Sequence, residues 1–523
     1  MGTVGNSRLK RLPDVLLALL VIAHLWPLAS GRWLITLDGP CHLYHTRLMN
    51  ELVAGGPASG FFQLNLYPEP NLLGYWMLSA MQLVFPAWLS MHLLYAVITV
   101  GTALAFRSLA RTLAPDDPWK PLLGLPFLLT YPLVMGFFNF SLGIAVLLLT
   151  MAVWERRMRS GIGRMRPMMA ILGMLYLAHL TAFLVGATWL IARAVWAWWH
   201  DEDGMRSRSR TTMTALIASL GLPLVLVIGY FMRMDPKEGV AFRFDASELL
   251  QWVPDGRAWI TFSYDDDLPW TRALAITMLA VAISGAALSA LKRDRRVVPW
   301  FIAAIGLFAL YLILPDVLAG GSLNSPRMLL FTMLFLCAGA MAARMPRWTS
   351  AMAGAVIAMA SVGHLSSFMR AERGLQSDAD DLLTLAPQLD QRSVVLPLNY
   401  SDNWLHSNLS NLLGAASGAI VLDHFVAQAP FAPLQWRPER LPYAAIGDFD
   451  RSSNPCVRVN GYRDEHVPLV THVLTYRMPK EPADSCAQDV MRQLDTEFSP
   501  IAESAGGAML YVRSGVSAAP RAR

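Results

Sequence analysis

Residues 32–75 read RWLITLDGPCHLYHTRLMNELVAGGPASGFFQLNLYPEPNLLGY and lie between the first two long apolar segments of the chain. The polar and ionisable side chains of this stretch include Asp38, His42, His45, Arg47, Glu69 and Asn71. Only 15% of all residues in the chain are charged, so this group is conspicuous. Because ionisable groups are costly inside a bilayer, we expect the loop to lie at the membrane–water boundary.

The composition of the 523-residue chain is typical of an integral membrane protein. Hydrophobic residues make up 54% of it and the mean hydropathy is +0.38. Soluble domains carry roughly a quarter charged residues, so a multi-pass α-helical membrane protein is predicted. The net charge of +5 is small, and the basic residues are mostly arginines in short loops, so no nucleic-acid partner is expected.

The first apolar run, residues 12–28, follows three basic residues and ends in Ala29-Ser30-Gly31. This pattern fits a signal peptide or a first transmembrane helix, and we favour a retained helix because the next loop needs an anchor nearby. Further apolar runs occupy residues 88–109, 121–133, 140–153, 168–179, 181–199, 212–231, 272–291, 298–314, 328–341 and 351–368. Together they predict about eleven spans, although several are shorter than the ~20 residues of a perpendicular span.

The arginines predict the orientation of these spans. With a cytoplasmic N-terminus, the basic residues of the predicted cytoplasmic loops are Arg156, Arg157, Arg159, Arg164, Arg166, Arg206, Arg208, Arg210, Lys292, Arg293, Arg295 and Arg296. Positive residues concentrate in cytoplasmic loops, and an odd number of spans places the tail after Arg370 outside. The Ala- and Arg-rich composition is typical of a bacterial host, so we expect the inner membrane, with a periplasmic tail.

Two domains are therefore predicted. Residues 1–370 form a transmembrane domain with external loops at 31–87 and 233–271, and residues 371–523 form a small mixed α/β extracytoplasmic domain. In this tail, residues 393–399, 418–424, 467–474 and 508–513 are predicted as strands, and 484–494 as a helix. Cys456 and Cys486 could form a disulfide in an oxidising compartment, but their spacing alone leaves this open.

The triplet Asp38-Gly39-Pro40 predicts the start of a helix, because Asp caps free amides and Pro is tolerated in a first turn. The apolar face of this helix comprises Cys41, Tyr44, Leu48 and Leu52, and its polar face comprises His42, Arg47 and Asn50. Such a helix is expected to lie along the membrane surface. On these residues alone, capping is the commoner role of such an aspartate, and the histidines fit ordinary interfacial polar residues.

Five short motifs carry a resemblance to a known family. They are DGPCHLYHTRLMNEL (38–52), YPEPNLLGY (67–75), GFFNFSLG (136–143), YLAHLTAF (176–183) and SPRMLL (325–330). An Asp that begins a surface helix in the first external loop resembles the GT-C fold glycosyltransferases. These include protein O-mannosyltransferases and aminoarabinose transferases, which use lipid-phosphate sugar donors. The resemblance covers the topology of about the first 370 residues, and the tail carries no such motif.

The resemblance implies roles for individual residues. Asp38 is implied as the base that takes a proton from the acceptor hydroxyl, and Arg327 as a contact of the lipid phosphate, whose developing charge an arginine can stabilise. Glu69 is the second candidate catalytic carboxylate, which could instead be a solvated residue of a turn. The candidate substrate-binding residues are His42, His45, Asn71, His179 and Arg327. The arginine could also merely snorkel to the interface.

The resemblance also bears on cofactors and partners. Metal-dependent members carry an Asp-x-Asp pair in the first loop, whereas Pro40 stands two positions after Asp38. We therefore expect metal-independent transfer without a cofactor. The expected partners are a polyprenyl-phosphate sugar donor, membrane lipid, and a glycan, lipid or protein acceptor. Two other functions stay open: a lipid or glycan transporter, which the clustering of ionisable groups at outer loops disfavours, and a non-catalytic assembly protein with the same fold.

Overall fold

The computed structural model describes residues 4–160, 166–202, 209–233, 243–318, 321–448, 455–465 and 467–515. Three arginines of the predicted cytoplasmic loops, Arg164, Arg206 and Arg208, lie outside the described residues, as do residues 234–242 of the second predicted external loop.

The described part of the chain is mostly helical. Its α-helices are α1 Val4–His24, α2 Pro27–Ser30, α3 Gly39–Val53, α4 Leu73–Gln82, α5 Ala87–Leu113, α6 Tyr131–Val134, α7 Phe138–Ser160, α8 Arg166–Ala178, α9 Leu180–Trp199, α10 Ser209–Arg233, α11 Ala246–Asp255, α12 Tyr264–Leu291, α13 Val298–Ile313, α14 Asn324–Ala342, α15 Arg347–Leu383, α16 Asn411–Ser417, α17 Tyr443–Ile446 and α18 Ser485–Glu497. Its strands are β1 Phe62–Leu64, β2 Val394–Asn399, β3 Ile420–Val421, β4 Leu434–Trp436, β5 Gly447–Asp448, β6 Cys456–Val457, β7 Arg463–Asp464, β8 Val467–Pro468, β9 His472–Tyr476, β10 Phe498–Glu503 and β11 Ala508–Arg513.

The chain is a multi-pass membrane protein. Within the described residues, eight helices are long and apolar enough to cross a membrane, namely α5, α7, α9, α10, α12, α13, α14 and α15. Two shorter apolar helices span Lys120–Val134 and Pro167–Ala178. Each apolar run predicted after residue 87 falls on one of these ten segments, so the membrane class is confirmed. The number of about eleven spans stays a prediction.

The chain divides into two compact units, which we name the helical unit and the mixed unit. The helical unit comprises Met1–Ala29, Pro68–Gly74 and Tyr95–Arg370. The mixed unit comprises Ser30–Tyr67, Tyr75–Leu94 and Ala371–Arg523. The predicted domain of residues 1–370 therefore contributes to both units, because most of the first loop belongs with the tail.

In the helical unit, α14 is the central helix. Nearly all of its residues from Ser325 to Ala342 are buried, and α12 and α13 pack against it. Small residues allow this close approach, as at Gly285, where an added Cβ would lie 3.1 Å from the Cβ of Ala343. The outer faces of α10, α12 and α13 instead expose large apolar side chains such as Ile217, Ile283 and Ile305. Such faces are suited to lipid.

The mixed unit contains a five-stranded sheet in the order β10-β11-β9-β2-β3. Strand β2 is parallel to β3 and β9, whereas β11 is antiparallel to β9 and β10. All four predicted strand segments contain strands, and α18 confirms the predicted helix. The segment 467–474 is broken into β8 and β9, and β10 was not predicted. Cys456 and Cys486 form a disulfide across 30 residues of chain.

The first loop packs against the C-terminal part of the mixed unit through a strand pairing, a helix contact and side-chain hydrogen bonds. Strand β1 pairs antiparallel with β4, with Phe62 opposite Trp436, and α3 packs against α16. The Tyr44 hydroxyl donates to the carbonyl oxygen of Ala419 at 2.9 Å and accepts from the amide of Val421 at 3.0 Å. These contacts hold the beginning of α3, and the aspartate before it, on the tail.

Candidate active site

Asp38 occupies the N-cap position of α3, but its side chain makes no capping hydrogen bond. Thr36 replaces it: the Thr36 hydroxyl accepts from the amide of Gly39 at 3.0 Å. A Cβ at Gly39 would lie 2.5 Å from this hydroxyl oxygen, so glycine is required for the close approach. The alternative interpretation of Asp38 as the side-chain cap of α3 is therefore excluded, since a threonine two residues earlier supplies the acceptor that the helix start needs.

The Asp38 carboxylate contacts the tail instead. The side chain is buried, with 8% of the residue exposed. The Asn408 amide nitrogen donates to Asp38 Oδ1 at 3.0 Å and to the carbonyl oxygen of Leu37 at 3.1 Å. Two donations from one rigid amide fix the position of the carboxylate relative to its own backbone. A carboxylate held in this way is positioned to meet a reacting hydroxyl.

His45 lies in a buried hydrogen-bond chain. Its Nε2 accepts from the amide of Leu434 at 3.2 Å, so its Nδ1 carries the proton and donates to His424 Nε2 at 3.0 Å. His424 Nδ1 in turn donates to Asn411 Oδ1 at 3.1 Å. Burial lowers the pKa of both histidines, that of His424 to about 3. The predicted substrate role of His45 finds no support in these contacts, because both ring nitrogens already bind protein.

His42 is half-buried on α3 beside Tyr75, and the two rings meet edge to face at 5.2 Å between centroids. Tyr75 also contacts the His45 ring at 4.8 Å. Burial raises the pKa of the Tyr75 phenol, and the negative charge of Asp38 raises it further. Tyr75 is therefore a neutral hydroxyl near the aspartate, and a residue that the sequence analysis did not single out.

Glu69 belongs to the helical unit and is not a solvated turn residue, since only 4% of it is exposed. Its Oε1 accepts from both Nη2 and Nε of Arg233, at 2.9 and 3.2 Å. The Arg233 side chain stays 39% exposed at the end of α10. Glu69 is thus one half of an ion pair between a short loop and a helix end.

The short segment Pro68–Gly74 that carries Glu69 and Asn71 is held on α7 and α8. The Tyr176 hydroxyl donates to the carbonyl oxygen of Pro68 at 3.0 Å, and the amide of Gly74 donates to Asn139 Oδ1 at 2.6 Å. Asn71 has a positive φ of 66°, a conformation that asparagine tolerates better than most residues. Its side-chain oxygen is buried and has no hydrogen-bond partner among the described residues.

His179 and Arg327 contact the same aromatic ring in the helical unit. His179 caps α9, since its Nδ1 accepts from the amide of Thr181 at 3.2 Å, and its ring meets Phe140 edge to face at 5.0 Å. The Arg327 guanidinium carbon lies 5.5 Å from the centroid of Phe140 and 4.4 Å from that of Phe137. With 9% of the residue exposed, Arg327 is buried against aromatic faces, which attract its charge. It does not snorkel to an open surface.

The described structure therefore places the predicted residues in two groups. Asp38, His42 and His45 lie in the mixed unit, and Glu69, Asn71, His179 and Arg327 lie in the helical unit. Four residues that contact or adjoin the candidate residues were not indicated by the sequence: Thr36, Tyr75, Arg233 and Asn408. Only Thr36 had a local signal, because a threonine just before a helix start is a common cap.

Comparisons with known proteins give the fold. The sequence matches no protein-family model and none of the curated proteins. Among solved structures, ArnT from Cupriavidus metallidurans in the apo state is 11% identical with a TM-score of 0.51, covering 95% of this chain and 97% of that chain. ArnT from the same organism bound to undecaprenyl phosphate is 12% identical with a TM-score of 0.51, over 97% and 99%.

A mycobacterial protein has the same architecture. The arabinofuranosyltransferase AftD from Mycobacteria is 14% identical with a TM-score of 0.50, covering 97% of this chain and 40% of that larger chain. Identities this low show the fold and leave the reaction to be argued from the site. The chain has the GT-C fold of membrane glycosyltransferases, with a small mixed α/β domain formed by its C-terminal part.

Proposed function

We propose that the chain is a glycosyltransferase that moves a sugar from a polyprenyl-phosphate donor to an acceptor of the cell envelope, with Asp38 as general base. The observation that carries the proposal is the state of the Asp38 carboxylate. It is buried, it takes no part in capping α3, and the amide of Asn408 donates to one of its oxygens. A buried carboxylate that a neutral amide holds in position is suited to proton transfer.

In the proposed reaction, Asp38 takes the proton of an acceptor hydroxyl while the hydroxyl oxygen attacks the anomeric carbon of the donor. The bond between that carbon and the phosphate oxygen breaks, and the polyprenyl phosphate leaves with its electron pair. The donor class is supported by the likeness to ArnT, which has been solved with undecaprenyl phosphate bound. The proposed transfer uses neither a metal ion nor a cofactor.

We propose Arg327 as the residue that stabilises the departing phosphate. A buried guanidinium strengthens a charge-assisted hydrogen bond to a phosphate oxygen, because the low dielectric around it reduces screening. His179 is proposed to assist: its Nδ1 accepts from a backbone amide, so its Nε2 carries the ring proton and can donate it. Its contact with Phe140, which Arg327 also meets, supports a shared role.

The other predicted site residues receive more limited roles. We propose that Glu69 orders the segment Pro68–Gly74 through Arg233, and is not a second base. Asn71 has a buried side-chain oxygen and is proposed as a substrate contact of that segment. His42, beside Tyr75, is proposed to contact the acceptor. His45 is proposed to be structural.

We propose that the reaction takes place on the periplasmic side of a bacterial inner membrane, with a cytoplasmic N-terminus. The clustering of arginines in alternate loops supports this orientation. The disulfide between Cys456 and Cys486 in the mixed unit supports an oxidising compartment for the tail.

The test is mass analysis of envelope glycans in cells that lack the gene and in the same cells complemented with variants. Loss of the gene should remove one sugar mass from an envelope component, and the wild-type chain should restore it. Asp38→Asn should not restore it, although the variant is present in the membrane at the wild-type amount. Asp265→Asn, which removes an exposed carboxylate at the start of α12, is the matched control and should restore it fully.

The outcomes separate two failures. If loss of the gene changes no glycan mass, the transferase proposal is rejected, and a transporter or assembly role takes its place. If loss of the gene removes a sugar but Asp38→Asn restores it, the transferase proposal stands and the base is another residue.

A further inference from the structure

The ends of α7 and α9 that lie away from His179 enclose a polar cavity of about 340 Å³. Its charged lining consists of Glu155, Arg159, Arg193, Glu202, Arg295 and Arg296. The arginine pattern predicts this end of the helices to be cytoplasmic. The cavity is one helix length from Arg327 and His179, about 30 Å for a 20-residue helix, and the proposed transfer does not use it.

Arg193 forms the buried floor of this cavity. Its Nε donates to Glu155 Oε1 at 2.8 Å, and its Nη2 lies 2.8 Å from Glu202 Oε2. Its third nitrogen, Nη1, is buried and has no hydrogen-bond partner among the described residues. Buried donors are rarely left unsatisfied in folded proteins, so this nitrogen points to a ligand that supplies an acceptor.

Two arginines of the lining carry uncompensated charge. Arg296 pairs with Asp294 at 2.6 Å, whereas Arg159 and Arg295 form no ion pair with any carboxylate in the described part of the chain. Arg159 donates to the carbonyl oxygen of Thr112, and Arg295 contacts His200. The lining holds four arginines and two carboxylates, and Asp294 outside it pairs with Arg296. The site is therefore positive, and Arg159 and Arg295 are exposed to an incoming anion.

An apolar groove of about 470 Å³ begins at the same arginine. It runs along α9 and α13, and the α9 residues that line it extend from Thr181 to Trp196. Over these fifteen residues the helix rises about 22 Å. The groove therefore covers most of the ~30 Å hydrocarbon thickness of a bilayer. Arg193 lines both the groove and the polar cavity. An anionic head and an apolar chain could therefore be bound by one continuous site.

We propose that this site binds one anionic glycerophospholipid, with its phosphate at Arg159, Arg295 and Arg193 and one acyl chain in the groove. A soluble anion would leave the groove unfilled, and a zwitterionic lipid would leave the positive charge uncompensated. Basic pockets between membrane helices near the cytoplasmic surface are known to suit anionic head groups. The polar cavity lies outside the proposed transfer site, whereas the other end of the groove is lined by Thr181 and Met328, beside His179 and Arg327. The inference concerns the end of the groove at Arg193 and goes beyond the proposed transfer reaction.

The test is native mass spectrometry of the full chain, purified in mild detergent, with added phosphatidylglycerol, phosphatidylcholine, inorganic phosphate or undecaprenyl phosphate. Phosphatidylglycerol should bind at least tenfold more tightly than phosphatidylcholine. The double variant Arg159→Gln/Arg295→Gln should lower that affinity about tenfold or more. The control Arg156→Gln, at the same end of α7 but outside the lining, should leave the affinity unchanged.

A second variant tests the groove without disturbing the charges. An added Cβ at Gly306 on α13 meets nothing within 4 Å, so Gly306→Leu fills the groove and spares the packing. It should weaken phosphatidylglycerol binding severalfold and leave the thermal stability of the lipid-free chain unchanged. Equal binding of the two phospholipids, unchanged binding in either variant, or full competition by inorganic phosphate would overturn the proposal. So would preferential occupation by undecaprenyl phosphate.

Discussion

Asp38 and Glu69 are the two acidic candidates of one loop, yet their surroundings differ. Asp38, in the mixed unit, accepts a hydrogen bond from the neutral amide of Asn408. Glu69, in the helical unit, forms an ion pair with Arg233. Both side chains are buried. The same stretch of sequence thus supplies one carboxylate held by an amide and another bound by a cation.

This difference indicates which carboxylate is suited to act as a base. Arg233 donates two hydrogen bonds to Glu69 and so holds this carboxylate in a structural contact, whereas one amide donation positions Asp38. The pairing of Glu69 with Arg233 also joins the segment Pro68–Gly74 to the end of α10. We therefore assign proton transfer to Asp38 and positioning to Glu69, and the following variants test that division.

The largest effect is expected from Asp38→Asn. Loss of a general base lowers the rate of sugar transfer by roughly 10²–10⁴-fold, whereas Glu69→Gln should lower it by less than about tenfold. Initial rates of transfer into membrane vesicles, at equal amounts of folded protein, provide the measurement. A loss in Glu69→Gln as large as that in Asp38→Asn would remove the distinction between the two carboxylates.

Arg327 and Arg233 allow a parallel comparison of two cations. Arg327 lies on the faces of Phe137 and Phe140, while Arg233 is paired with Glu69. Since a phosphate-stabilising donor is worth roughly 10²–10³-fold in rate, Arg327→Gln should lower transfer by that amount. Arg233→Gln should cost mainly stability, roughly 1–3 kcal/mol, because it leaves the buried Glu69 carboxylate without its cation. Transfer rates and thermal unfolding of both variants check this, and a reversed pattern would contradict it.

Asn408→Ala should have a smaller effect. It removes the donor that holds Asp38 Oδ1, and a hydrogen bond to a charged group contributes about 1.5 kcal/mol, which corresponds to about tenfold in rate. Asn403→Ala is the control, because Asn403 is an asparagine of the same tail segment that caps a neighbouring turn. If Asn408→Ala transferred sugar at the wild-type rate, Asn408 would not position the base.

The sequence predicted those features that depend on local pattern. Hydropathy located the apolar segments, and the alternation of apolar residues located most of the sheet, with β10 missed because Pro500 and exposed polar residues interrupt it. The partners of the candidate residues were not predictable. Asn408 lies 370 residues from Asp38, and Arg233 lies 164 residues from Glu69. Such contacts are set by tertiary packing and leave no periodic signal in one sequence.

The smallest effect concerns the buried pair His45 and His424, which supports α3 behind Asp38. Burial keeps both neutral in the folded chain and lowers their pKa, whereas an unfolded histidine is protonated near pH 6.5. Below that pH the unfolded state binds more protons, so the stability from this pair is fully present above pH 6.5 and declines towards pH 3. Between pH 7.5 and 5.5 the loss should be about 1 kcal/mol for each histidine. Thermal unfolding of the chain in detergent at the two pH values measures this loss.

The double variant His45→Gln/His424→Gln should flatten the dependence of stability on pH, and His200→Gln, at the far end of α9, should not. A wild-type chain equally stable at both pH values would show that these histidines are not held neutral, and the support of the Asp38 helix would then need another explanation.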